Sequence, residues 1–130
     1  MPYRTRNACE GDFHHVIARG VGQQILFEDD GDRERFLDLL YRKAQLHHVN
    51  VLAWCFMSNH VHLLLQAPIA SISRMMQLAE SEYAMHFNAR HNRKGTLFQG
   101  RFASVPIQDD AQLLLAVRYI HLNPVKAGGR

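Results

Sequence analysis

The chain has 130 residues, 47 % hydrophobic and 21 % charged, which suits a single domain over residues 1–130 with one real core. No apolar run approaches the ~20 residues needed to cross a bilayer, and the opening Met1-Pro2-Tyr3-Arg4-Thr5-Arg6 carries no apolar segment after its charges, so neither a membrane span nor a signal peptide is expected. A net charge of +3 with a pI near 9.1 permits a polyanionic partner without demanding one, and two distant cysteines, Cys9 and Cys55, suit a reducing cytoplasm rather than a disulfide scaffold or zinc site.

Residues 14–19 predict a short strand ending at Gly20 and Gly22. Asp32 is placed to cap a helix over residues 33–47, with Phe36, Leu37, Leu39, Leu40 and Ala44 as its apolar stripe. Residues 49–56 predict a strand, Met57-Ser58-Asn59 a tight connection, and residues 61–66 the return strand, stopped by Pro68. Ser71 or Ser73 is placed to cap a second helix whose inner side carries Met75, Met76, Leu78, Ala79, Tyr83 and Phe87. A polar loop over 91–101 precedes a last strand over 104–107, interrupted by Pro106. Asp109 or Asp110 then caps a third helix, with Leu113, Leu114, Val117 and Ile120 facing the core and Pro124 closing it. This order predicts an α+β fold: a ferredoxin-like antiparallel sheet with two helices on one face. The third helix follows that core, lying on the other face or against a partner subunit.

His60-Val61-His62 is the central motif. Alternate side chains of a strand point the same way, so both imidazoles would share one face, where two histidines can hold one metal ion. Nine histidines among 130 residues should produce about 0.6 such pairs by chance, and two half-exposed histidines at a strand end account for the motif equally well. In Tyr119-Ile120-His121-Leu122-Asn123-Pro124, Tyr119 and Asn123 are four apart and share a helix face. A tyrosine hydroxyl attacks phosphorus once its proton leaves; with an unperturbed pKa of about 10 it needs a nearby cation or base. A core tyrosine and a helix-ending asparagine explain the same residues. Arg90, Arg93, Lys94 and Arg101 interleave with Phe87, Phe98 and Phe102, a mixture that suits a strand whose bases can stack and equally a solvated loop beside core aromatics.

Five segments in order resemble the single-tyrosine transposases of insertion sequences and their REP-associated relatives. They are Phe13-His14-His15-Val16-Ile17-Ala18-Arg19-Gly20, Asp32-Arg33-Glu34-Arg35-Phe36-Leu37, Met57-Ser58-Asn59-His60-Val61-His62-Leu63-Leu64-Leu65, Gly95-Thr96-Leu97-Phe98-Gln99-Gly100-Arg101-Phe102 and Tyr119 through Gly128. The resemblance implies that His60 and His62 are metal ligands, that Asn123 is a third ligand and that Tyr119 is the nucleophile. It also implies Mg²⁺ or Mn²⁺ as cofactor, a 5′-phosphotyrosine intermediate, and single-stranded or hairpin DNA as partner. Arg90, Arg93, Lys94, Phe98 and Arg101 are the expected DNA contacts. A cytoplasmic protein acting on the nucleoid follows from the same resemblance, either as a monomer or as a homodimer whose tyrosine helices serve each other's histidines.

Three other readings compete. A non-catalytic nucleic-acid-binding module on the same fold, such as an RNA-recognition motif, would need an aromatic-rich sheet signature that the chain lacks, and would leave Tyr119 with Asn123 unexplained. A domesticated, non-catalytic single-stranded or hairpin DNA-binding protein of the transposase fold stays as the alternative to an active enzyme. A phosphodiesterase using water would carry carboxylates beside the histidines, yet residues 49–72 contain neither Asp nor Glu. A small structural domain would explain the composition and not the five ordered motifs.

Overall fold

The computed structural model of the chain describes residues 11–126, and for Asp110, Tyr119 and residues 121–126 it describes the backbone alone. Strand β1 (Phe13–Arg19) leads through a short 3-10 turn (Val21–Gln23) to helix α1 (Asp30–Leu46). The hairpin β2 (Asn50–Phe56) and β3 (His60–Gln66) follows, then α2 (Ile69–Arg90), β4 (Ala103–Ile107) and α3 (Asp110–Lys126). The sheet runs β2-β3-β1-β4 with every pairing antiparallel. This is the ferredoxin-like α+β arrangement expected from the order of elements.

The two faces of β3 explain the layers. Val61, Leu63 and Leu65 join Val16, Phe36, Leu39, Leu40, Met75, Met76 and Tyr83 in the larger core, between the sheet and helices α1 and α2. Leu64, pointing the other way, joins Ala53, Cys55, Ala116 and Ile120 in a smaller cluster beneath α3. The third helix therefore covers the opposite sheet face, over β2 and β3. It buries less than its sequence stripe promised: Leu113 and Val117 are half-buried, while Leu114 is exposed.

Helix ends depart from the expected capping. Helix α1 starts at Asp30, and Asp29 is its N-cap, with its carboxylate accepting from the Asp32 N–H at 3.1 Å. Asp32, expected as the cap, is instead fully buried in the first turn, where it accepts from the Glu28 N–H at 2.9 Å. Helix α2 begins before Ser71 and Ser73, because the Pro68 carbonyl already accepts from the Ser71 and Ile72 N–H groups at 3.0 and 3.2 Å. Of the two candidates for α3, Asp109 caps, its Oδ1 accepting from the Gln112 N–H at 2.8 Å. That helix runs past Pro124 to Lys126; a proline so near the end forfeits one i→i−4 bond and the helix stops within a turn.

Candidate active site

Strand alternation places His60 and His62 on the α3 face of the sheet, beside Leu64. The tight Met57–His60 connection, closed by the Met57 N–H donating to the His60 carbonyl at 2.8 Å, sets His60 at the strand's first position. The Asn59 Oδ1 lies 2.9 Å from His60 Nδ1, which makes Nδ1 the protonated nitrogen of that ring and orients it. The His60 and His62 rings stand 4.9 Å apart, centroid to centroid, nearly perpendicular.

A third histidine completes the group. In β1, Ile17 lies opposite His62 and His15 opposite Leu64, so His15 shares the same face. Its Nε2 lies 3.0 Å from His62 Nδ1. Sequence reasoning left His15 without a role because the pair forms only through the β1–β3 pairing. The one available signal was the ferredoxin-like order itself, which sets β1 beside β3 and aligns the faces of two His-rich strands.

The electrostatics of the cluster favour neutral imidazoles. Burial, then the proximity of His60, His15 and Arg19, holds His62 down at about 4. Burial and the Arg19 guanidinium lower His60, and burial lowers His15. At neutral pH His60 and His62 thus carry the unprotonated nitrogens that metal coordination needs, and two neutral imidazoles suit Mn²⁺ and later transition ions better than Mg²⁺. Among the described residues no group of three or more His, Cys, Asp or Glu converges to hold an ion. The expected third ligand is Asn123, and the side chains of Asn123 and Tyr119 lie outside the described residues. Their helix does not: α3 packs on this sheet face through Ala116 and Ile120, which flank position 119.

The basic loop divides into braces and exposed cations. Arg90 donates from Nη1 to Asp32 at 2.7 Å, and from Nη1 and Nη2 to Asp29 at 2.8 Å each. Arg93 donates to Asn88 Oδ1 at 3.0 Å and to the Gly95 and Thr96 carbonyls at 3.2 and 2.8 Å. Phe98 is 7 % exposed and its ring meets Phe36 and Tyr83. These three hold the loop to the body, while Lys94 and Arg101 project into solvent. The loop is also tied to the active end of the sheet. Gly20, just past β1, pairs with Phe98 and donates to the Asn59 carbonyl at 2.9 Å; a Cβ on Gly20 would collide with the Gln24 carbonyl oxygen.

Residues 10–123 match the sequence model of the family described as "Transposase IS200 like". The chain belongs to that transposase family. The fold agrees: the structure of a REP-associated tyrosine transposase bound to a REP hairpin superposes with a TM-score of 0.73 at 17 % identity, over 98 % of this chain and 75 % of that one. A Deinococcus radiodurans R1 protein assigned as a transposase superposes with a TM-score of 0.63 at 16 % identity, over 93 % and 96 % of the two chains. No curated protein matches the sequence at a significant level. Membership makes DNA transposition the chain's general activity, DNA its partner and a divalent ion the expected cofactor. No helix among the described residues is long and apolar enough to cross a membrane.

Proposed function

We propose that this transposase cleaves and rejoins single-stranded DNA with Tyr119 as nucleophile, His60, His62 and Asn123 holding the divalent ion. One observation carries the reading: the helix that bears positions 119 and 123 packs on the sheet face that presents His60 and His62. The hairpin-bound relative supports folded single-stranded DNA as the substrate.

The Tyr119 Oη, once deprotonated, attacks the scissile phosphorus and forms an O–P bond. The P–O3′ bond breaks, and the departing 3′ oxygen takes up a proton. The product is a 5′-phosphotyrosine, which conserves the phosphodiester for rejoining, so no nucleotide cofactor is consumed. A later 3′-hydroxyl reverses the step and releases Tyr119. Bound Mg²⁺ or Mn²⁺ would supply positive charge to polarise the scissile phosphate. His60 and His62 offer neutral nitrogens for that ion, and His15 and Asn59 fix the orientation of the two rings. Because His15 engages His62 through Nδ1, His62 would offer the ion Nε2. Lys94 and Arg101 position the DNA backbone, on a loop braced by Arg90, Arg93 and Phe98. The chain works as a monomer or as a homodimer on this scheme.

Tandem mass spectrometry of protein trapped on labelled hairpin DNA with Mn²⁺ tests the assignment. The nucleotide is expected on the peptide containing Tyr119, and a nucleotide on any other residue would remove Tyr119 from its role.

A further inference from the structure

Arg19 is the last residue of β1 and lies directly opposite His60, as Ile17 lies opposite His62. Residues opposite one another in an antiparallel pair share a face, with Cβ atoms about 4.5–5.5 Å apart. Arg19 therefore stands on the histidine face of the sheet, beside the first ring of the pair. Its backbone is held on both sides: its carbonyl accepts from the Gln99 N–H at 2.8 Å, and the next residue, Gly20, donates to the Asn59 carbonyl at 2.9 Å. The side chain itself is exposed.

Arg33, Arg35 and Arg42 pair with aspartates, Arg74 donates to Gln77, and Arg90 and Arg93 brace the basic loop. By contrast, no carboxylate or amide engages the Arg19 guanidinium among the described residues, and neither β1 nor residues 49–72 contain an aspartate or glutamate. The Arg19 charge falls on the histidines instead. After burial it is the next cause that lowers His60, and after burial and the neighbouring imidazoles it lowers His62 as well.

For a divalent cation this surrounding has the wrong sign. Neutral imidazoles bring no negative charge, and a guanidinium across the strand pair from His60 repels the ion. The charges balance only when an anion joins them. A phosphodiester is such an anion, with one negative charge shared by its non-bridging oxygens. A guanidinium fork matches phosphate oxygens with paired N–H···O bonds. It also keeps its proton at neutral pH, so Arg19 acts as a fixed charge and not as the acid that protonates the departing 3′ oxygen.

We propose that Arg19 binds the non-bridging oxygens of the scissile phosphate, so that DNA and the divalent ion each tighten the other's binding. The coupling is reciprocal by thermodynamic necessity. Without DNA, Arg19 opposes the ion; with the phosphate in place, the same charge holds the anion that both cations need. The site thus loads its metal where a phosphodiester is present. A contact to the DNA backbone away from the histidines, as from Lys94 or Arg101, would add affinity for DNA without this coupling. The inference rests on the reading of the chain as a metal-dependent DNA strand transferase.

Mn²⁺ titrations of the full-length chain, read by electron paramagnetic resonance, test it without any cleavage step. They are run alone and with a saturating thymidine dinucleotide that carries a single phosphodiester. The dinucleotide should tighten Mn²⁺ binding by about fivefold or more in the wild type. Its methylphosphonate analogue, which is neutral, should not. Arg19→Gln should bind Mn²⁺ alone about two- to fivefold more tightly, because the repulsion is gone, and should lose most of the gain from the dinucleotide. Arg19→Lys keeps the charge without the fork and should fall between. An unchanged Tm confirms that the exposed side chain is not holding the fold. No gain in the wild type overturns the proposal, as does an equal gain in Arg19→Gln or weaker binding of Mn²⁺ alone in that variant. Covalent trapping on hairpin DNA separates the two readings: an adduct without Arg19-dependent coupling leaves the transferase and removes this role, and coupling without an adduct does the reverse.

Discussion

Replacing Asp32 by Asn isolates the contact that ties the start of α1 to the end of α2. The Asp32 carboxylate is fully buried and accepts from the Glu28 N–H at 2.9 Å and Arg90 Nη1 at 2.7 Å, with His91 Nε2 at 2.9 Å. The amide fills the same space and keeps one acceptor oxygen, so the change removes the charge and turns one acceptor into a donor facing a donor. Breaking a fully buried ion pair costs about 3–5 kcal/mol. Arg90 is half-exposed and keeps its two bonds to Asp29, so water and Asp29 recover part of this; about 2–3 kcal/mol is the expected loss. For a domain of this size that lowers Tm by roughly 6–12 °C. Burial raises the Asp32 pKa, but the Glu28, Arg90 and His91 contacts outweigh it and hold the carboxyl below its ordinary 3.8. The folded value is depressed, so the stabilisation is present above the unfolded value and is lost as pH falls through the folded one. The gap between wild type and Asp32→Asn in urea melts should therefore be full at pH 7 and shrink below about pH 4. A gap under about 0.5 kcal/mol at pH 7, or one that does not shrink in acid, would refute the electrostatic account of this joint.

Two further predictions concern the site itself. His15→Ala should weaken Mn²⁺ binding, read by electron paramagnetic resonance, by about tenfold or more, with His15→Gln retaining more of it; unchanged affinity in both variants would deny His15 an orienting role. Phe98→Ala should destabilise the fold by about 3–5 kcal/mol, whereas Lys94→Ala and Arg101→Ala should leave Tm in place. Each of those two should weaken single-strand binding and reduce the salt slope by about one; a falling Tm without a change in slope would make them structural.

What the sequence discloses depends on whether the deciding interaction is local. The alternation of His60, Val61 and His62 and the stripe Phe36, Leu39, Leu40, Ala44 are local periodicities, and they locate the core between the sheet and α1 correctly; the uniform run Leu63-Leu64-Leu65 hides its two faces, so the layer under α3 is not legible from it. Asp32 has the residue type of a cap, but Arg90 and His91, far along the chain, claim its carboxylate, and Asp29 caps α1 instead. The same long-range contact makes Arg90, expected to touch DNA, a brace of this joint as well. The stripe Leu113, Leu114, Val117 and Ile120 points Leu114 inward, whereas among the described residues α3 meets the sheet through Leu113, Ala116, Val117 and Ile120 and leaves Leu114 exposed. His15 joined the site only through strand pairing, which no local pattern encodes.

Covalent capture tests the central claim most directly. The full-length chain is incubated with Mn²⁺ and labelled single-stranded hairpin DNA, then run on a denaturing gel beside the variants Tyr119→Phe and His60→Ala. A slow-migrating protein–DNA band that needs the metal and disappears in both variants is the expected result. A band that persists in Tyr119→Phe would contradict the account, because the phosphodiester would then rest on another residue.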